Sequence, residues 1–120
     1  MNTEQTYLDL GTIENLASFL SEEKLKALFN SYLVDSENIL SSLVTVIAEN
    51  NVKEAIRLVH SLKSTSANVG AILFSEMAKS LEQIARDAKL DDLHSQLDAL
   101  NNLFNLTRQA IKQLEIMKAD

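Results

Sequence analysis

The sequence predicts an all-α fold, an antiparallel four-helix bundle with a short additional N-terminal helix, on three observations. Its 120 residues contain no proline and two glycines, and aromatic residues make up 5% of the chain, a composition that disfavours β-sandwiches and barrels. Apolar residues recur at helical spacing over long stretches. Those stretches are separated by short polar connections that begin with residues able to cap a helix.

Residues 1–11 are polar and short of periodicity, which predicts an extended lead-in with Tyr7, Leu8 and Leu10 free to pack on the bundle. Thr12 is placed to cap a short helix carrying Ile13, Leu16, Ala17 and Leu20. Ser21 should cap a long second helix, with Glu22 and Glu23 in the first turn where the helix dipole favours negative charge. Its stripe runs from Leu25 through Leu28, Phe29, Tyr32, Ile39, Leu40, Leu43 and Ile47 to about Glu49. Asn51 followed by Glu54 resembles a capping box for a third helix, which should end near Val69 with Gly70 in the left-handed conformation. A fourth helix is expected from about Ile72 to Lys89, and Asp91 is placed to cap a fifth that runs almost to the end through Leu93, Leu97, Leu100, Phe104, Ile111 and Leu114. Short connections make these helices antiparallel neighbours in a single domain spanning 1–120.

Composition excludes several classes of function. With no cysteine, neither disulfides nor thiolate metal sites are possible. No apolar run approaches the roughly 20 residues that span a bilayer, and the N-terminus lacks the basic and apolar regions of a signal peptide, so a cytoplasmic protein without a membrane role is expected. A formal net charge of −6 argues against nucleic acid as the partner.

Chemistry concentrates in the stretch from Lys53 to Ala71, KEAIRLVHSLKSTSANVGA. At about 100° per residue, Ala55, Leu58, Leu62, Thr65 and Val69 share one side of a helix and His60 falls near the opposite, solvent side. Lys53, Arg57, Lys63, Ser64 and Ala67 lie on the histidine's side, so three cations surround one imidazole. Read from charge alone, this is either an anion-binding face or an ordinary solvated helix surface. His94 belongs to no motif and reads as a surface residue.

The run His60-Ser61-Leu62-Lys63-Ser64-Thr65-Ser66-Ala67-Asn68-Val69-Gly70-Ala71 resembles the histidine-containing phosphotransfer (HPt) domain of bacterial phosphorelays, in which the histidine is followed by any one residue, then Leu-Lys, small residues and a Gly-Ala turn. The likeness extends to Leu81-Glu82 in the next helix. One departure is Ser64, where that family usually has glycine. The resemblance implies that His60 accepts a phosphoryl group, that Lys63 stabilises its charge, and that Gly70 is structural. Ile56, Arg57, Ser64 and Ala67 would then border the docking face of a receiver domain, with neighbours from the second helix completing a small apolar patch. Partners would be the receiver domains of a hybrid sensor kinase and of response regulators, with the Mg²⁺ brought by the receiver.

No metal-ligand spacing and no nucleotide-binding loop is present, so neither a bound cofactor or metal nor ATP-dependent kinase activity is expected. A monomer is expected. The alternative reading is a non-catalytic helical adaptor, or an inactive HPt-like interaction module, in which His60 is only a surface residue.

Overall fold

The computed structural model describes residues 6–118. From Leu10 onward the described residues form seven helices: α1 (Leu10–Ala17), α2 (Glu22–Ala48), α3 (Val52–Val69), α4 (Ile72–Arg86), α5 (Leu90–Ser95), α6 (Leu97–Lys112) and α7 (Glu115–Lys118). The four long helices α2, α3, α4 and α6 form the antiparallel bundle, α1 is the additional short N-terminal helix, and no strand occurs among the described residues.

The cap of α1 is Asp9, not Thr12. Its carboxylate accepts the Gly11 N–H at 3.1 Å and the Thr12 hydroxyl at 2.9 Å, so the threonine serves the cap from inside the first turn. Leu10 and Gly11 are therefore helical, and Thr6 and Tyr7 are helical as well, so of the expected extended 1–11 lead-in only Leu8 and Asp9 are non-helical; residues 1–5 of it lie outside the described residues. Ser21 caps α2 by accepting the Lys24 N–H at 3.2 Å, and Asn51 caps α3 by accepting that of Glu54 at 3.1 Å. Between them Asn50 takes φ 56°, a left-handed conformation that asparagine tolerates better than most residues.

The α3–α4 turn rests on Gly70 at φ 85°, with the Ala71 N–H bonded back to the Ser66 carbonyl at 2.8 Å. A Cβ at Gly70 would also stand 3.1 Å from the Asp9 carbonyl oxygen and 3.2 Å from Ile13 Cγ1, because the start of α1 crosses this turn. The Asp9 N–H bonds the Gly70 carbonyl at 2.7 Å.

Two helices end differently from expectation. α4 stops at Arg86 rather than Lys89, because Ala88 turns to φ 58° and the Lys89 N–H closes onto the Ile84 carbonyl at 3.1 Å. Asp91 is not a cap but lies in the first turn of α5. The expected fifth helix is divided at Gln96, beside Ser95, whose hydroxyl donates to the Asp92 carbonyl at 2.6 Å.

The core is built from Phe29, Leu43, Leu62, Phe74, Leu93, Leu100, Phe104 and Ile111, all essentially inaccessible to solvent. The Phe104 ring meets those of Phe74 at 5.4 Å and Tyr32 at 6.4 Å in tilted and edge-on arrangements, which suit the aromatic quadrupole. Tyr32, on α2, also reaches Ser66 of α3, with 2.7 Å between hydroxyl oxygens, and burial pushes its phenol up to about 12 against the opposing effect of the Ser66 and Ser36 hydrogen bonds. Ser66 is thus on the inner face of α3, where the periodicity placed Thr65. Thr65 is exposed and donates to the Ser61 carbonyl at 2.9 Å.

Candidate functional site

α3 and α4 pack more extensively on each other than any other pair of helices in the bundle. Along their seam Ser75 donates to the Lys63 carbonyl at 2.9 Å, fixing the register that brings the outer edge of α4 beside the histidine. The consequence is a cluster centred on Glu82, a carboxylate with only 7% of its side chain exposed.

Three side chains converge on it. His60 Nδ1 lies 3.2 and 3.1 Å from the two Glu82 oxygens, and Lys63 Nζ is 3.0 Å from Oε1. Arg86, one turn along α4, donates to Oε2 from Nη2 at 2.6 Å and from Nε at 3.0 Å. Burial by itself would raise the Glu82 pKa, but hydrogen bonds from Lys63, Arg86 and His60, together with the Lys63 charge, outweigh it and hold the carboxyl down at about 2. Glu82 is therefore an anion at neutral pH and can only accept. The proton on the bonded ring nitrogen follows: Nδ1 carries it, and in the neutral imidazole the lone pair is on Nε2.

The His60 side chain is 52% exposed. Nε2 has the Ser64 hydroxyl 3.5 Å away, at the long limit of a hydrogen bond. Ala67 is exposed on the same face. Lys53 and Arg57 lie on the outer surface of α3, where both act on Glu54: Arg57 hydrogen-bonds its carboxylate, and that bond first, then the two positive charges, keep the Glu54 pKa below the usual range. Of the three cations assigned to the imidazole, Lys63 joins it through Glu82, and the second cation in the cluster is Arg86. Ile56 is half-buried and packs against the core. His94 is exposed on α5.

Beside this face, α2 and α3 enclose an open groove of about 510 Å³ whose lining includes Leu28, Tyr32, Ile39, Thr65 and Val69. No cluster of three or more residues suited to a metal ion occurs among the described residues, and none of their helices is long and apolar enough to cross a membrane.

Glu82 and Arg86 had no assigned role in the sequence reading. The available signal was a glutamate at the edge of the α4 stripe Phe74, Ala78, Leu81 and Ala85, followed four residues later by an arginine.

Comparison with known proteins bears on the fold and the family. Histidine-containing phosphotransfer protein B (HptB) from Pseudomonas aeruginosa PAO1 is 26% identical, with a TM-score of 0.86 over 95% of this chain and 97% of that one. A rice protein described as a histidine-containing phosphotransfer protein shares the fold with a TM-score of 0.83 at 21% identity, over 95% of this chain and 82% of its own. No curated protein gives a significant sequence match. The family model for the Hpt domain matches residues 27–114, which take in nearly all of α2 and the whole of α3 through α6. That span includes the His60 helix and the Glu82 helix packed against it, and the chain belongs to the Hpt domain family.

Proposed function

We propose that this protein is a phosphorelay intermediate whose single domain spans 1–120: His60 takes a phosphoryl group from the aspartyl phosphate of one receiver domain and passes it to the aspartate of another. The observation that carries the reading is the ionised Glu82 against His60 Nδ1, which leaves the Nε2 lone pair on the open side of a half-exposed ring. In the transfer, Nε2 forms the N–P bond as the acyl O–P bond breaks, and the electron pair of that bond leaves with the receiver's carboxylate. The ring gains a positive charge in this step. Glu82 faces that charge through Nδ1–H and so stabilises both the transition state and the phosphohistidine.

Lys63 is the cation within reach of the incoming phosphoryl oxygens, acting as a point charge. Phosphoryl transfer needs in-line positioning and charge stabilisation more than covalent help, which suits an open helix surface. Ile56, Arg57, Ser64 and Ala67 border the docking face, and the hybrid kinase and response regulators that supply and drain the phosphoryl group provide the receivers. The chain itself uses no cofactor; the Mg²⁺ belongs to the receiver. We place the protein in the cytoplasm as a monomer.

The test is transfer of radiolabelled phosphate from purified phosphorylated receiver domains. Acid-labile label should appear on the wild type, not on His60→Gln, and not when the protein is incubated with ATP and Mg²⁺ alone. Label retained by His60→Gln, or acquired from ATP alone, overturns the reading.

A further inference from the structure

Lys63 faces two demands that conflict. In the structure its ammonium is held at 3.0 Å by a carboxylate that is almost wholly buried, yet the proposed function needs that ammonium at the phosphoryl oxygens on the far side of the ring. Extracting the partner of a buried anion is strongly unfavourable unless another cation remains. Arg86 is that cation. Its two hydrogen bonds fall on Oε2, whereas Lys63 occupies Oε1, so the two cations do not compete for one oxygen. His60 Nδ1 is almost equidistant from both oxygens and bridges them. Once Lys63 has turned away, Oε1 still has the ring N–H and Oε2 still has the guanidinium.

Resting on the phosphocarrier reading, we infer that Arg86 is a positioning residue that releases Lys63: by keeping Glu82 partnered, it lets the ammonium leave the carboxylate for the arriving phosphoryl group. Arg86 needs no contact with that group to do so. Timing explains why the ring's own charge does not replace it. Bond formation lags behind bond breaking in a loose transition state, so the positive charge on the imidazole is incomplete when Lys63 must already have moved. Without Arg86, Lys63 is the only cation on a buried carboxylate and is held more tightly there. Arginine fits the task better than lysine because two parallel donors fix it on one oxygen.

The experiment uses potassium phosphoramidate as donor, on the full chain carrying His94→Gln so that His60 is the only imidazole. Nε2 forms the N–P bond while the P–N bond of phosphoramidate breaks and ammonia leaves with the bonding pair; the ring charge stays at Nδ1–H. No receiver is present, so docking cannot enter the rates. Arg86→Gln should fold, since the Arg86 side chain is 53% exposed, and should slow phosphorylation of His60 by roughly tenfold, in line with loss of one partner of a buried charge. Arg86→Lys should recover part of the rate. On a Glu82→Gln background, where no anion needs a cation, Arg86→Gln should cause no further slowing. Wild-type rates for Arg86→Gln, or equal slowing on both backgrounds, overturn the inference. The two readings fail separately. A protein that accepts nothing from aspartyl phosphates but shows this coupling loses the relay and keeps the lysine release, whereas an Arg86→Gln variant that reacts normally loses the release and leaves the relay.

Discussion

Glu54 and Glu82 are both glutamates bound to an arginine on a helix surface, and they differ in almost everything that follows from location. Glu54 sits in the first turn of α3 with Arg57 three residues on, and both are solvated, so their mutual attraction is screened and the pair decorates the helix. Glu82 sits in the α3–α4 seam, where water is largely excluded and three donors from two helices replace it. The lesson is that a short distance between charges says little until the number of independent elements sharing them is known. The Glu54 pair is local to one turn. The Glu82 cluster ties two helices together and determines which histidine nitrogen carries the proton.

The sharpest way to break this contrast is truncation of the buried member. Glu82→Ala should destabilise the protein by about 2 kcal/mol, because it removes the hydrogen bonds that join α3 to α4 and leaves a void at a buried position, and it should free the imidazole tautomer. Chemical denaturation and the ring ¹⁵N shifts of His60 measure the two effects.

Acid provides the next test. A carboxyl whose pKa is lowered by folding, here from 4.5 to about 2, gives stability that is present in full above the unfolded value and is lost as pH falls through the folded one. Melting temperature should therefore decline between about pH 4.5 and pH 2, and the decline should be visibly shallower in Glu82→Gln.

A smaller effect belongs to Ser64, next to Nε2. Ser64→Gly should lower stability by about 0.5 kcal/mol through helix propensity alone and leave transfer intact, while Ser64→Leu should keep the fold and block a receiver's approach. Thermal melts and transfer rates of both variants check this. At the end of the scale, Glu54→Ala and Arg57→Ala should leave the melting temperature unchanged within error, and a measurable drop would mean that the two glutamates are more alike than their exposure implies.

Periodicity along one helix was enough to place His60 outward, to start α2 at Ser21 and α3 at Asn51, and to read Gly70 as the left-handed terminus of α3. Each depends on residues within a turn or two. What stayed hidden depends on how helices meet. Thr65 and Ser66 sit on adjacent sides of α3, and the choice between them is made by Tyr32 across the seam with α2. Lys63 belongs with Arg86 rather than with Lys53 and Arg57 because α4 approaches from the Lys63 side, a fact set by the α3–α4 turn and the Ser75 link. The α1 start fell to Asp9 because its carboxylate accepts both the Gly11 N–H and the hydroxyl of Thr12 itself. The break at Gln96 interrupts an apolar pattern that continues through it, so no periodicity reports it.

The tight turn at Gly70 also bears on how the molecule assembles. It keeps every member of the ionic cluster, from His60 to Arg86, within two consecutive helices, so the chain between them closes only a short loop when they meet, and short closures are entropically mild and fast. α1 and α7 add nothing to that cluster. In amide hydrogen exchange, fluctuations that release the terminal helices should therefore leave the α3–α4 hairpin protected, with His60 still held against Glu82 while the ends of the chain open and close around it.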